Sequence, residues 1–577
     1  MTPVPLREIA HVRAGEKGDR VNLAVIPYRE SDFDLVRSGL TQEALNRTFS
    51  AIAGAIELYE VPGIQSFNIV MEQALDGGRS RNILFDESGK ALSGLAAGLL
   101  IDVPSSFVPR SAEASRGDPV PSGASHREPG GGIRLGCATG WARDRFEPAS
   151  VLARTGNLDY LCFETMSEVT MSAAQVARLG DPSLPGFDPY LLERLVPVME
   201  VCRDKQIRVV TNQGWRDPLS AAEVLARELS DAGLRGVRIA AIVGGDLTEQ
   251  IGAMGLCFED GDAIADHAAD VVSAEVYLGA RDIAGALDEG ADVVITPRVT
   301  DASLFVGPLI HEFGWRSDAL DELAMGVTVG HLLECGAQVT GGYFADPGYK
   351  DVAGLADIGY PIAQVHRDAV FITKPLDTGG LVSPATCKEQ LLYEIGDPSS
   401  YLNPDVIADF SGVSFRSAGP DLVFAEGFSG REPPPTLKAL VGLDEGWVCE
   451  QFVLYAGAGA LQRAQLAEEI LVDRLARRGI GGDRLRFDRV GVDAIHREAT
   501  PYPRYEPYEV ALRIALRAPT RAEAGMLRRE VDPMAATGPA GTGKWSPMAD
   551  MVRPIIGLRS TLVPRESIAS EISFIES

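Results

Sequence analysis

Five short apolar runs, each closing on polar or glycine residues, constrain this chain more than any other feature. They are IRLGCATG, LDYLCFET, IRVVTNQG, VRIAAIVGGD and DVVITPRVTD, all between Ile133 and Trp315. Stretches with helical periodicity, such as PLSAAEVLARELSDAG and ARDIAGALDEG, separate them. A strand apolar on both faces must be covered on both, and the intervening helices supply that cover. The pattern therefore predicts a buried parallel sheet. Ligands of such sheets gather at the carboxyl ends of the strands. Thr139, Glu164, Thr165, Asn212, Asp246, Arg298, Thr300 and Asp301 fall there.

The 577 residues exceed what one hydrophobic core supports, and about three units are expected. The fold class expected is α/β, with a Rossmann-like large domain over residues 133–404. An α+β part follows over residues 405–577, where β-rich runs such as DLVFAEGFSG and EGWVCEQFVLYA surround the helix GALQRAQLAEEILVDRLARRG. Residues 1–104 alternate strand and helix patterns, as in a small ferredoxin-like α/β domain. There SDFDLVRSGLTQEALNRTFSAI reads as one helix and ALSGLAAGLLIDV as a final one. Between these parts, residues 105–132 are rich in Pro, Ser, Gly and Arg and read as a flexible linker.

Charge narrows the function classes. There are 54 Lys+Arg against 81 Asp+Glu, a net charge of −27. Such a surface repels phosphate backbones and anionic lipids, so neither nucleic acid nor a membrane is an expected partner. A CoA or phosphate ligand would need a locally positive pocket. Seven scattered cysteines without a CxxC pair fit reduced thiols rather than disulfides or structural zinc. The N-terminus lacks an apolar signal core and no run of 18 apolar residues occurs, so a cytoplasmic location is expected.

Several clusters carry candidate chemistry. In TPRVTDAS, Arg298 can fork-bind a carboxylate or thioester-linked acid, and Asp301 can orient it, cap the next helix or act as a base. In GHLLECGAQVTGG, read as helix, His331, Glu334, Cys335 and Gln338 share one face. His331 and Glu334 are acid/base candidates and can share a divalent metal if other ligands come from elsewhere. No resident cofactor and no dedicated metal site is expected. Cys335 becomes a nucleophile only if His331 lowers its pKa; an inert cysteine and a hydrogen-bonded histidine are the bland alternative. Lys374 and Lys388 bracket the turn Thr378, Gly379 and Gly380, a plausible anion cradle or else a surface loop leading to a helix capped near Ser383. RAGEKGDRVN places Lys17 and Asn22 on a hairpin, either solvated or lent to a neighbouring site. GCATG fits an anion-holding helix start or a plain tight turn. TGPAGTGKW spells GxxxxGK but has Trp545 where a phosphate loop needs Ser or Thr, so a glycine-rich loop is the better reading.

At these residues the chain resembles the acyclic terpene utilisation family AtuA. TPRVTDASLFVGPLIHEFGW, GHLLECGAQVTGGYF, ITKPLDTGGLVSPATCKEQLLYEIGDP, YLNPDVIADF and PPPTLK carry the resemblance, in the family's order, across Ile133–Ile480. HVRAGEKGDRVN and ALDGGRSRNILFDESGKAL resemble the family's ferredoxin-like accessory domain, here placed before the large domain rather than after it. Pro297 stands where the family usually has glycine, and Trp215 interrupts a loop usually rich in glycine and asparagine.

The resemblance implies a place in the catabolism of branched acids through acyl-CoA intermediates. The expected function is a lyase or hydratase acting by general acid/base chemistry on a branched acyl-CoA or hydroxy acid. Arg298 would clamp the substrate, with Asn212 and Thr300 beside it. A homo-oligomer is expected. The alternative, of another class, is a non-catalytic scaffold partnering an acyl-CoA enzyme.

Overall fold

The computed structural model describes residues 1–114, 131–501, 506–545 and 551–577. Residues 115–130 of the expected linker lie outside the described residues. Its first residues form the short helix Arg110–Ala114, and Arg29 Nη2 donates to the Val108 carbonyl at 2.9 Å.

All five apolar runs form strands, and those strands are parallel neighbours in the order Ile133–Cys137, Tyr160–Phe163, Arg208–Thr211, Val293–Ile295 and Arg238–Gly244. Alternation along them divides two cores. Tyr160 and Cys162 face one buried cluster, while Leu161 and Phe163 face the other. The helix Pro218–Asp231 covers one face. Asp217 caps it by accepting from the Ser220 amide, and Pro218 begins it where no amide hydrogen is needed.

The sheet is not parallel throughout, which corrects the Rossmann-like expectation. Four antiparallel strands extend one side: Ile362–Val365, Val370–Thr373, Leu422–Glu426 and Ser414–Gly419. Ser570–Glu576 closes the other edge antiparallel to Arg238–Gly244. The ten-stranded sheet is therefore mixed, and segments on both sides of residue 404 build it. A second, six-stranded sheet is organised on the long strand Thr436–Ala456, which pairs with Val271–Val276, Glu509–Ala518 and Val552–Pro564.

The N-terminal domain is an antiparallel sheet in the order Ala10–Lys17, Arg20–Pro27, Ser66–Met71, Ile56–Val61. The helix expected from Ser31 to Ile52 breaks into Phe33–Gly39 and Gln42–Phe49, because Thr41 caps a new start by accepting from the Ala44 amide. The expected last helix is short, Leu92–Ala97, and the chain then enters the strand Leu100–Val103.

This domain docks on the core through buried polar contacts. Asn22 Nδ2 donates to the Leu392 carbonyl at 2.6 Å, and Asn22 Oδ1 accepts from the Glu394 amide at 3.0 Å. Asn68 Nδ2 donates to the Gly396 carbonyl at 2.7 Å. His11 meets Glu389, whose Oε1 also accepts from Lys350 at 2.6 Å. Gly15 makes the approach possible, since a Cβ there would lie 2.6 Å from the Glu394 amide nitrogen.

Candidate active site

A cavity of about 680 Å³ lies between the N-terminal domain and the carboxyl ends of the central strands. Its size suits a small-molecule ligand. The strand after Ile295 runs into Arg298, whose backbone is fixed by the Leu278 amide donating to its carbonyl at 3.1 Å. The Arg298 guanidinium is 2% exposed and lies over the Tyr277 ring at 4.1 Å. Its Nη1 is 3.2 Å from Asp301 Oδ1. The alignment is not that of a hydrogen bond: Arg298 Nε and Nη1 and Asp301 Oδ1 have no hydrogen-bond partner among the described residues. Asp301 does not cap the following helix either. Ser303–Phe313 begins after Ala302 without a side-chain cap.

Two carboxyl groups that line the cavity with Arg298 are pushed toward the protonated form. Burial raises Glu164 well above the usual carboxyl value, and the Asp301 charge adds to this against the pull of Arg298. Burial also raises Glu334, opposed by His331. His331 Nδ1 lies 3.1 Å from Glu334 Oε1, and its Nε2 hydrogen bonds to the Leu391 carbonyl at 3.1 Å. The ring stacks on Phe410 and does not line the cavity. His331 thus positions Glu334, and Glu334 faces the ligand space.

The helix face inferred for this segment is not present. The helix Leu320–Leu333 stops before Glu334, and Cys335 is left-handed at φ 59°. Gln338 sits in the separate turn Gly336–Gln338. Gly140 of the GCATG loop packs on this turn, where a Cβ would come within 2.4 Å of the Cys335 carbonyl carbon. The Gly140 amide is taken by Asp144 Oδ2 at 2.7 Å, so the loop is a tight turn and not an open anion cradle. Burial, together with Glu334, Glu394 and Glu164, raises the Cys335 thiol well above its ordinary value. The condition for a nucleophilic Cys335, a pKa lowered by His331, is not met.

The N-terminal domain contributes its own charges to the cavity. Lys17 reaches Glu394 Oε2 at 3.6 Å, and Lys90 reaches Oε1 of the same group at 3.6 Å. Burial works against the Lys17 charge, but Glu394 and Glu168 hold its pKa well above the ordinary lysine value. Glu16 pairs with Arg79 at 3.3 Å, yet burial and the neighbouring Glu394 and Glu168 raise it to about 7. Trp141, Ala173, Ala174, Leu184 and Phe187 form an apolar wall, with Arg143 and Arg178 at the periphery. Trp215, Cys335, Tyr343 and Glu394 all line the cavity with positive φ. Such non-glycine strain gathers at functional sites.

Other candidates sit elsewhere. Asn22 docks the domains. Asn212 Oδ1 accepts from the Thr165 amide at 2.8 Å, and Thr300 Oγ1 accepts from Asn403 at 3.0 Å; both brace the strand ends. Lys374 donates to the Thr378 carbonyl at 2.8 Å and pairs with Asp421 at 3.2 Å. Gly379 and Gly380 serve close backbone approach: a Cβ on Gly379 would lie 1.9 Å from the Gly354 oxygen. Lys388 lies on the helix Pro384–Leu391, capped by Ser383, with Glu30 at 3.8 Å. None of these lines the cavity. In TGPAGTGKW the glycine loop leads into the strand Gly543–Trp545, whereas a phosphate loop leads into a helix. Glu16, Arg79, Lys90, Glu168 and Glu394 are the site residues that sequence reasoning did not select. Glu394 stood in the apolar run LLYEI, and Glu16 beside Lys17. Among the described residues no group of three or more His, Cys, Asp or Glu side chains is placed to hold a metal ion, and no helix is long and apolar enough to cross a membrane.

A mixed-sheet core with a ferredoxin-like domain closing one side of its cavity defines the class. The family model described as acyclic terpene utilisation family protein AtuA matches residues 133–574, and the AtuA ferredoxin-like domain matches residues 4–101. The chain belongs to the acyclic terpene utilisation family AtuA. No curated protein and no solved structure matches it.

Proposed function

We propose that the chain is a lyase or hydratase that performs general acid/base chemistry on a branched acyl-CoA or hydroxy acid. One observation carries the reading: Arg298 is buried with its Nη1 unpartnered among the described residues, in a cavity also lined by Glu164 and Glu334. A buried cation with spare donors is satisfied when a carboxylate or thioester oxygen occupies the space. The same donors would stabilise negative charge developing on that oxygen as a neighbouring carbon loses its proton. Asp301 is the base in this scheme. Glu334 or Glu164, holding a proton, is the acid that protonates a departing hydroxyl or carbanion. The apolar wall suits a branched hydrocarbon tail, and Arg143 and Arg178 offer positive charge to a CoA phosphate that the acidic chain would otherwise repel.

The experiment is turnover of branched 3-hydroxyacyl-CoA esters and free branched hydroxy acids by the full chain and its Arg298→Lys and Glu334→Gln variants. Turnover by the parent is expected, with a loss of at least about a hundredfold in Arg298→Lys, the size of losing one donor to a developing anion, and a loss in Glu334→Gln if Glu334 is the acid. Turnover that survives in both variants would refute the assignment.

A further inference from the structure

Behind the first cavity lies a second one, of about 360 Å³, at the carboxyl ends of the strands Arg238–Gly244 and Val293–Ile295. Trp215 and Arg298 line both. The second chamber is bounded by Gly244, Gly245, Asp246, Glu275 and Ala569. Carboxyl ends of parallel strands are where α/β sheets hold ligands, and the chemistry described above makes no use of this one.

Its buried polar groups lack partners. Glu275 is 4% exposed, and its Oε2 has no hydrogen-bond partner among the described residues, nor has Arg298 Nε. Arg216 is held by Asp246 through Nε at 3.1 Å and Nη2 at 2.7 Å, and its Nε is 3.8 Å from Glu275 Oε1. Gln175 Nε2 lies 3.5 Å from the same oxygen. The charged groups facing Glu275 are thus Arg216, Asp246 and Arg298. Arg216 is committed to Asp246 and Arg298 lies beside Asp301, so the cluster is close to neutral when Glu275 holds its proton. The groups left over are then donors, Arg298 Nε and the Glu275 carboxyl, which suit a small anion rather than a cation.

We propose that this chamber binds a small carboxylate, which accepts from Arg298 Nε and from the Glu275 carboxyl group. The chamber shares Arg298 and Trp215 with the acyl cavity, but its ligand does not depend on which reaction occurs there. Burial sets the proton affinity of Glu275 near 7, opposed by Arg216 and reinforced by Asp246. A ligand that needs the protonated form binds best below that pH and weakens above it, while acetate stays ionised throughout.

The test is calorimetric titration of the full chain with sodium acetate and sodium malonate at pH 6 and pH 8. Expected are millimolar or tighter binding at pH 6 and affinity about tenfold lower at pH 8, the ratio of protonated Glu275 at the two values. Glu275→Gln, which keeps a donor and cannot ionise, should bind equally at both. Ala569→Trp, at the exposed mouth, should block entry while thermal stability is unchanged. Leu184→Ala changes the apolar wall of the acyl cavity and not this chamber, so it should leave this binding intact. No binding at 20-fold above millimolar (~20 mM), binding undiminished by Ala569→Trp, binding lost in Leu184→Ala, or affinity that rises with pH would each overturn the proposal.

Discussion

Glu16 gives the clearest quantitative consequence of the interdomain cavity. Its side chain is 9% exposed, beside Arg79, and faces Glu394 and Glu168. Burial, then those two carboxylates, raise its pKa from 4.5 to about 7, with the attraction of Lys90 and Arg79 already included. The folded value lies above the unfolded one. The stability associated with the protonated group is therefore fully present below pH 4.5 and lost as pH rises through about 7. A rise of that size corresponds to about 3 kcal/mol at full ionisation. Glu16→Gln cannot ionise and escapes the loss. Thermal unfolding of both proteins across pH 4–8.5 should give nearly equal midpoints at pH 4 and a variant several degrees more stable at pH 8.5. A difference independent of pH, or a variant less stable at pH 8.5, would refute the reasoning.

Two further outcomes follow from the same geometry. Gly15→Ala should cost about 1–3 kcal/mol, because its methyl group would press on the Glu394 backbone; limited proteolysis should then release the N-terminal domain faster. Native titration with a thiol–disulfide reagent at pH 8 should modify Cys257, the exposed cysteine, well before Cys335, whose thiol is held protonated by burial and three carboxylates; equal rates would show that its surroundings are misjudged.

Much of the fold is legible because its signals are local. The five central strands are apolar on both faces, and their runs show it in the sequence. The ends of the sheet were not legible. Leu422–Glu426 and Ser570–Glu576 are ordinary strands in sequence, and what joins them to the large sheet is pairing with residues far away along the chain. Arg298 and Asp301 could be selected because a strand end delivers them. The error at Cys335 has a physical source: the helix period continues through Gln338 in sequence, but the Gly140 loop needs the chain to turn one residue before Gly336. The glycines at 379–380 looked like an anion cradle because the same residue type serves both close backbone approach and ligand approach. Glu394 and Glu168 could not be placed in the site from sequence because each gains its meaning only opposite Lys17 of another domain.

The central claim is that the groups around Arg298 move a proton next to an oxygen that Arg298 holds. Proton NMR of a branched acyl-CoA ester in D2O tests it most directly. The account predicts that the native chain exchanges the α-hydrogens for deuterium, and that Asp301→Asn and Arg298→Lys abolish the exchange without unfolding the protein. Exchange at the native rate in both variants, or none with the native chain across the branched esters and hydroxy acids, would contradict it.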